Sequence, residues 1–256
     1  MWNKHLKLMI FAAIAALFTG SVVSATEMDE RIESAVKQSY VFKTYFKDDK
    51  IAAQSKDGVV TLKGTVMEGS HISLAQETVS YLPGVKAVDN QLVLKGESPG
   101  EHSDNSISMR VKTVLLFHRK ANAFKTEVIV KDGVVTLYGK TSSQAQKDLI
   151  GEYAKDVEDV KYVKNEMTVE KAVDDSQRTV SEIIDDASIT AQVKMALLTH
   201  RSTRTIRASV ATVSGVSTVS GTVKNEAEKE LIGKYVEDIN GVTGVVNNMI
   251  VENPSK

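Results

Sequence analysis

One pattern of apolar and polar positions occurs three times along the chain. Its clearest part is a short apolar run enclosed by two glycines, which reads DGVVTLKG at 57–64, DGVVTLYG at 132–139 and SGVSTVSG at 214–221. Such a run is typical of a short strand that is entered through a tight turn. The flanking apolar positions align without gaps over about 63 residues. The sequence therefore predicts three copies of one unit.

Each unit begins with a helical spacing of apolar residues. In the second unit Ile107, Val111 and Val114 are three or four residues apart, and the third unit repeats this spacing from Ile189. The first unit fits less well, because Ser39 falls on its apolar stripe. Three residues before the first apolar position stands an aspartate, which suits the N-cap or first turn of a helix. These aspartates are Asp29, Asp104 and Asp186.

The remaining positions of each unit predict a hairpin, a second helix and a last strand. A strand precedes the repeated run at 126–130 and at 207–213, with only a poor match at 51–55. A second amphipathic helix follows the run. The last segment then alternates strictly between apolar and other residues, which is typical of a strand. It contains a recurring Asn that we interpret as a structural amide with hydrogen-bond partners. These residues are Asn90, Asn165 and Asn247.

The element order in each unit is therefore α-β-β-α-β. A strand–helix–strand crossover sets its two strands parallel, so the fold class is α/β (α+β), with a three-stranded mixed sheet and two helices on one face in each unit. The predicted domains span 27–95, 102–171 and 184–252, and polar linkers at 96–103 and 171–182 separate them. Glycines mark turn positions that require a positive φ or a close approach. They are Gly58, Gly64, Gly133, Gly139, Gly215 and Gly221.

The first 25 residues form a separate segment. Lys4 and Lys7 flank an uninterrupted apolar run at 8–18, and small residues follow it as far as Ala25. This order is typical of an export signal that is cleaved before Thr26, and the apolar run is too short to span a bilayer. We expect a periplasmic protein with no transmembrane segment after cleavage. A buried N-terminal helix is the alternative.

Composition narrows the possible chemistry. The chain of 256 residues has no Cys, which excludes disulfides, thiol catalysis and thiolate metal sites. Of its 32 basic residues two lie in the predicted signal, so 30 remain against 33 acidic residues. This balance argues against a general nucleic-acid binder. No phosphate-binding loop, nucleophile elbow or paired-His metal motif occurs, so we expect neither an enzyme nor a cofactor.

The best binding candidate is the first helix of unit two. Unit two alone has more basic than acidic residues, 12 against 10 over 102–171, and a cationic helix end beside an aromatic residue suits an anionic lipid surface. The candidate lipid-binding residues are Arg110, Lys112, Phe117, His118, Arg119 and Lys120. The alternative is a solvated helix end with Phe117 in the core. His118 aligns with His200, and we favour a helix-dipole role for both over a metal-ligand role.

A second candidate surface lies in unit one, where four aromatic residues occur within seven positions. They are Tyr40, Phe42, Tyr45 and Phe46. A small domain has a thin core, so we expect some of these side chains to be buried. The remainder would be available to a partner protein.

The ordered set of motifs resembles the BON domain family. Unit one reads D-x-x-I-x-x-x-V-K, then D-G-V-V-T-L-x-G, then P-G-V-x-x-V-x-N-x-L-x-L, and the other two units match over nearly the whole remaining chain. The matching residues of unit one are Asp29, Ile32, Val36, Lys37, Gly58, Gly64, Pro83, Gly84, Val88 and Asn90. The resemblance implies the fold derived above and a non-catalytic periplasmic role. Family members are associated with phospholipid binding, envelope integrity under osmotic stress and assistance to other envelope proteins. Unit three departs from the pattern at Ser214 and Ser217.

Two functions fit these observations. The first is a non-catalytic periplasmic envelope protein that binds anionic phospholipid surfaces peripherally and supports envelope integrity under osmotic stress. The alternative is a soluble periplasmic chaperone-like or protein–protein interaction module that uses sheet edges and aromatic residues. Binding of vesicles with and without anionic lipid separates the two.

Overall fold

The computed structural model describes residues 25–96, 102–121, 126–170 and 184–252. Each repeat forms its own sheet, in which the central strand has one antiparallel and one parallel neighbour. The predicted α-β-β-α-β order and the three mixed sheets are confirmed. The predicted export signal, apart from Ala25, and most of both predicted linkers lie outside the described residues.

Unit one contains six elements. They are α1 (Ala25–Gln38), α2 (Tyr40–Thr44), β1 (Lys50–Lys56), β2 (Val59–Val66), α3 (Gly69–Ser80) and β3 (Ala87–Leu94). β1 pairs antiparallel with β2, and β2 pairs parallel with β3 across the α3 crossover. β1 is a full strand of seven residues although its sequence matches a strand poorly. Its inward residues Ile51 and Ala53 pack against the core, so tertiary packing outweighs the weak local preference.

Units two and three repeat this order. Unit two contains α4 (Asp104–Phe117), β4 (Thr126–Lys131), β5 (Val134–Thr141), α5 (Gln144–Lys155), β6 (Tyr162–Asn165) and β7 (Thr168–Val169). Unit three contains α6 (Asp186–Thr199), β8 (Ser209–Val213), β9 (Val216–Val223), α7 (Glu226–Glu237) and β10 (Gly244–Val251). The last strand of unit two is interrupted at 166–167, where a single strand was predicted. β6 and β7 still pair with β5 in one continuous register.

The first helix of unit one differs from its counterparts. α1 ends before Ser39, whose side chain donates a hydrogen bond to the Val36 carbonyl at 2.9 Å, and the short helix α2 follows. The break leaves backbone N–H groups of α2 free to bond to unit three. Tyr40 donates to the Asp185 carboxylate at 2.8 Å and Val41 to Ser188 Oγ at 3.2 Å. The serine on the apolar stripe thus marks a real interruption.

The repeated aspartate of each unit holds the hairpin turn of that unit. Asp186 accepts hydrogen bonds from the backbone N–H groups of Ser214 and Gly215, each at 2.8 Å. Asp29 bonds in the same way to 57–58, and Asp104 to 132–133. Asp104 and Asp186 lie in the first helical turn, as predicted, whereas Asp29 is the fifth residue of α1 and lies beyond that turn. The predicted N-cap role of Asp104 and Asp186 is wrong. The N-caps of α4 and α6 are the preceding residues, Ser103 and Asp185.

All six repeated glycines have positive φ. The angle is +82°, +79° and +78° at Gly58, Gly133 and Gly215, and +132°, +140° and +152° at Gly64, Gly139 and Gly221. Gly64 also lies against the neighbouring strand, because a Cβ there would stand 1.8 Å from the carbonyl oxygen of Lys50. Any side chain at this position collides with the backbone of β1.

The recurring Asn joins the last strand to the second helix. Asn90 Nδ2 donates to the Ile72 carbonyl at 2.9 Å, and the corresponding amides of units two and three donate to Lys147 and Lys229, each at 2.7 Å. The Oδ1 atom accepts from the backbone two residues further on. The interpretation as a satisfied structural amide is confirmed.

The apolar cores of units one and three are continuous. α3 packs against α6, and buried residues of both units form one cluster. Phe117 of unit two belongs to the same cluster. Unit two otherwise has a core of its own, around Val111, Leu137 and Ile150. Side chains from all three units therefore meet in one apolar region.

Candidate functional site

The six residues predicted to bind lipid do not form one surface. Phe117 and His118 are each 1% exposed, so neither side chain reaches solvent. Phe117 packs edge-on against Tyr45 of unit one, with 5.8 Å between ring centroids. Of the two interpretations that the sequence leaves open for Phe117, the structure therefore shows the core position, and the expected contact of Phe117 and His118 with lipid is wrong.

The cationic members of the set are mostly engaged with acidic groups. Arg110 donates to the Asp159 carboxylate at 2.7 Å and to the Glu158 carbonyl at 3.2 Å. Arg119 and Lys120 are exposed, but their nitrogens lie 3.8 Å and 3.4 Å from a carboxylate oxygen of Asp238 in unit three. Lys112 is exposed on the outer side of α4. The end of α4 is thus largely a contact between units.

His118 lies at the contact between units two and three. Its Nε2 atom is 3.0 Å from Nε2 of His200, and both imidazoles are buried. Tyr153 stacks on the imidazole of unit two with 3.8 Å between ring centroids, and Tyr235 stacks on that of unit three at 4.3 Å. We call His118 and His200 the histidine pair.

A carboxylate of the opposite unit faces the Nδ1 atom of each imidazole. The distance is 3.4 Å for Asp238 and 3.2 Å for Asp156. Two phenols donate hydrogen bonds across the same contact, Tyr153 to Asp238 at 2.6 Å and Tyr235 to Asp156 at 2.8 Å. The histidine pair, the two tyrosines and the two aspartates form a symmetric group that we call the interface cluster.

Backbone hydrogen bonds also cross this contact. The Arg119 N–H donates to the Asp238 carbonyl at 2.9 Å, and the equivalent Arg201 N–H donates to the Asp156 carbonyl at 2.6 Å. The Asn240 N–H donates to the carbonyl of the last residue of α4 at 2.9 Å. Units two and three are therefore joined by backbone hydrogen bonds as well as by side-chain contacts.

Burial and local partners set the ionisation of the interface cluster. Burial lowers the pKa of His118, and the charge of His200 lowers it further, against the opposing effect of Asp238. Burial alone would raise the pKa of both carboxylates, but the facing imidazoles and the hydrogen bonds from hydroxyls outweigh it and hold each pKa below its ordinary value. Burial, followed by the nearby carboxylates, raises the pKa of Tyr153 and Tyr235. The two phenols therefore remain neutral donors.

Of this cluster, the sequence pattern pointed to the two histidines alone. The signal for the others was present, because His, Tyr and Asp recur at the same spacing in units two and three. Unit one has Lys43, Thr78 and Tyr81 at the aligned positions and cannot form the cluster. Residues shared by two of three repeats are typical of a contact between those two repeats.

The face of each sheet that points away from the helices is available to partners, and we call it the open face. The open face of unit two carries three lysines, two tyrosines, an isoleucine and one acidic residue among its exposed positions. They are Lys131, Lys140, Lys164, Tyr138, Tyr162, Ile129 and Glu127. The strand register places Lys131, Val134 and Tyr162 in one row across the sheet. Lysines and aromatic rings therefore share one surface.

The open faces of units one and three differ from that of unit two in charge and in aromatic content. Unit one also has three exposed lysines and one exposed acid on this face, Lys50, Lys56, Lys63 and Asp89, but no aromatic residue. The open face of unit three carries no charged residue along β8, β9 and β10. It presents Ser, Thr and Asn with exposed Val and Ile, and Val213 and Ile250 are 71% and 67% exposed.

Neither a metal centre nor a membrane span is found in the part of the chain that the structure describes. No group of three or more His, Asp or Glu residues there is arranged to hold a metal ion. No helix among the described residues is both long and apolar enough to cross a bilayer.

Comparison with known proteins gives consistent matches in sequence. The model of the BON domain family matches residues 28–96, 103–171 and 185–253. The Osmotically-inducible protein Y of Escherichia coli (strain K12) is 30% identical over 146 residues, which cover 57% of this chain and 71% of that protein. An uncharacterized protein in the gshII 5' region of Anaplasma centrale is 28% identical over 120 residues, covering 47% of this chain and 77% of that protein.

Solved structures resemble the chain only weakly. CdsD, a structural protein of the type III secretion system of Chlamydia trachomatis, matches with a TM-score of 0.24 and 14% identity, over 87% of this chain and 91% of that one. The periplasmic domain of PrgH matches with a TM-score of 0.20 and 9% identity, over 82% of this chain and 97% of that one. TM-scores this low do not establish a shared fold.

Proposed function

This chain belongs to the BON domain family, and because it carries that domain three times we propose that it is a non-catalytic periplasmic envelope protein that binds anionic phospholipid surfaces peripherally. In this role it supports envelope integrity under osmotic stress. Two facts support the stress connection: the family resemblance, and the similarity to a protein named for its osmotic induction. The observation that carries the lipid contact is the open face of unit two.

The composition of this face fits an anionic headgroup layer. Each Lys or Arg close to such a surface contributes about 1 kcal/mol of attraction. Tyrosine suits the same layer, because its ring enters the apolar boundary while its hydroxyl stays in water. Lys140 pairs with Glu170 at 2.9 Å, so Lys131 and Lys164 are the cations on which we expect binding to depend most. This face replaces the end of α4 as the proposed contact.

The test is flotation of the exported protein with phosphatidylcholine vesicles, with and without phosphatidylglycerol. We expect flotation only with the anionic lipid, and a decrease as salt approaches physiological strength, where the screening length is about 8 Å. The variant Lys131→Glu/Lys164→Glu should weaken binding at least 30-fold, since losing two cations alone removes about 2 kcal/mol.

Two further variants separate a site from bulk charge. Lys56→Glu/Lys63→Glu makes the same charge change on the open face of unit one, which lacks aromatic residues, and should weaken binding much less. Arg119→Glu/Lys120→Glu tests the end of α4. Equal losses from all three variants would mean that net charge alone attracts the protein. If only Arg119→Glu/Lys120→Glu weakened vesicle binding, the lipid contact would lie at the end of α4 instead.

Protein binding is the second candidate, and the uncharged open face of unit three favours it. Exposed Val and Ile on a flat sheet without charge suit an apolar segment of a partly unfolded protein. The measurement is suppression of light scattering from urea-denatured citrate synthase. Val213→Ser/Ile250→Ser adds no charge and should abolish suppression while leaving vesicle flotation unchanged. If the wild type floats with no vesicle at low salt and does suppress scattering, this second function replaces the first.

Export is part of the proposal and has its own test. Mass spectrometry of the protein from cells should find Thr26 at the N-terminus, as the sequence of the first 25 residues predicts. A retained Met1 in the mature fraction would contradict export by a cleaved signal.

A further inference from the structure

We propose that the histidine pair is a pH-sensitive latch between units two and three: the closed contact holds one shared proton, and a second proton opens it. The proposal concerns a contact between units and is independent of lipid binding. It rests on the head-on geometry of two buried imidazoles.

The two Nε2 atoms point directly at each other. They are 3.0 Å apart, while the ring centroids are 5.3 Å apart. These distances differ by about two imidazole ring radii, so both nitrogens lie close to the line that joins the ring centres. A separation of 3.0 Å fits one N–H···N hydrogen bond. It leaves no room for two N–H groups, which would meet hydrogen to hydrogen.

The other ring nitrogens fix where the remaining protons are held. Each Nδ1 atom faces a carboxylate of the opposite unit at 3.2–3.4 Å, and a carboxylate favours an N–H on the nitrogen that faces it. With a proton on each Nδ1 and one between the Nε2 atoms, the pair carries three protons and one positive charge. The carboxylates favour this first charge, and the head-on contact excludes the second.

The other titratable groups of the cluster keep their charge across the relevant pH range. The lowered pKa of Asp156 and Asp238 keeps both carboxylates ionised, and the raised pKa of Tyr153 and Tyr235 keeps both phenols neutral. The charged groups that surround them on both units are Arg119, Lys120, Glu152, Glu158, Arg201 and Arg204. Lys120 opposes a second positive charge on the pair.

The sign of the pH dependence follows from the proton count. When the units separate, both imidazoles are solvated, and the pKa of His118 returns from its lowered value to the ordinary value of about 6.5. The separated form therefore binds one more proton than the closed form below that pH, and the contact loses stability as pH falls. With one charge held in the closed form and up to two on the separated imidazoles, the opening equilibrium should rise about 8-fold between pH 6.5 and pH 5.

Backbone amides at the contact report opening directly. The N–H groups of Arg119 and Arg201 donate across the interface, so their hydrogen exchange requires the contact to open. After correction for the intrinsic pH dependence of exchange, we expect protection at both amides to fall about 8-fold between pH 6.5 and pH 5. The Val41 N–H bonds to Ser188 across the contact of units one and three, outside the interface cluster, and is the internal control.

Unchanged protection at Arg119 and Arg201 overturns the proposal. So does an equal loss at Val41, which would report general loosening of the molecule.

The variant His200→Gln provides a second test of the latch. A glutamine amide can bond to Nε2 of His118 but takes up no proton, so protection at Arg119 should persist at pH 5.

Nitrogen-15 NMR of the wild-type imidazoles tests the latch even if the variant does not fold. We expect the histidine pair to take up its last proton only together with the loss of protection. Two fully protonated imidazoles with the Arg119 and Arg201 amides still protected would refute the latch.

Discussion

One carboxylate per unit links a helix to a turn that is 28 residues away in the sequence. Asp29 accepts from Ser55 Oγ at 2.6 Å and from two backbone N–H groups of the turn. These bonds, with that of Ser55 first and that of Gly58 next, lower the pKa of the Asp29 carboxyl. Sequence spacing places this residue at a helix start but does not reveal its partner, because the turn approaches it only after the hairpin folds.

The lowered pKa predicts the direction of an acid effect. An ionised Asp29 binds the turn better than a protonated one, so its contribution is complete above the unfolded pKa of about 3.9 and is lost as pH falls through the lower folded pKa. We expect Asp29→Asn to have a free energy of unfolding that varies less between pH 4 and pH 2 than the wild type. Urea titrations at several pH values measure this. Identical slopes in both proteins would show that the carboxylate has no such role.

A glycine at the end of the second strand is a steric requirement. Gly64→Ala places a Cβ 1.8 Å from the Lys50 carbonyl oxygen on a backbone with φ of +132°, so either β1 or the residue itself must move. We expect a loss of about 1–3 kcal/mol in the free energy of unfolding. Gly69→Ala is the matched control, since its Cβ would meet nothing within 4 Å. Similar melting temperatures for the two variants would contradict the steric argument.

Among the elements, the sequence predicted most of the helices and strands because their apolar periods are strong. The local sequence pattern did not predict the structure at three places, and at two of them tertiary contacts give the reason. β1 forms from a weak strand sequence because Ile51 and Ala53 are needed in the core. The helix that opens unit one breaks at Ser39 and docks on α6. The last strand of unit two is interrupted at 166–167, for which no local residue gives a reason.

The docking of α2 on α6 has a specific test. Asp185 caps α6 through the Ser188 N–H at 2.9 Å and also accepts from the Tyr40 N–H. Ser103 caps α4 and has no such bond to unit one. A lost N-cap costs about 0.5–2 kcal/mol, so Ser103→Ala should lower the free energy of unfolding by that amount. Asp185→Ala should cost more, because it also leaves the Tyr40 N–H without its acceptor.

A double-mutant cycle completes the comparison. Removing Ser188 Oγ and the Asp185 carboxylate together should cost less than the sum of the single losses, because both groups serve the same docked α2. Additive losses would mean that the capping of α6 and the docking of α2 are separate.

In the whole molecule, the pattern common to the three units does not reveal how they pack together. Repeats report what the three units share, and that is the fold of each unit. Contacts between units use residues that are not common to all three, such as the aromatic residues of 40–46 or the histidine pair. Tyr45, for example, donates to Gln192 of unit three at 3.0 Å and its ring packs against Phe117 of unit two. Two of the candidate lipid residues, Phe117 and His118, are buried for the same reason, since they lie where the end of α4 meets the other units.

Phe117 tests whether the shared core makes the units unfold together. Truncation of a buried Phe to Ala costs about 3–5 kcal/mol, and this side chain lies in the cluster of units one and three. We expect Phe117→Ala to lower the melting temperature of the whole molecule. Tyr138→Ala, on the open face of unit two, is the control and should change it little. A shift confined to the calorimetric transition of unit two would show that the three units unfold independently.

The contact of units two and three has an approximate two-fold symmetry, and this has a consequence for assembly. Each side presents the same histidine, tyrosine, aspartate and arginine, so each side is complementary to a copy of itself. Such a surface does not distinguish its own chain from a neighbouring one. Because units two and three belong to one chain, their two sides meet at an effective concentration that a second molecule seldom reaches. At high protein concentration, the contact that forms between units two and three of one molecule can also form between two molecules.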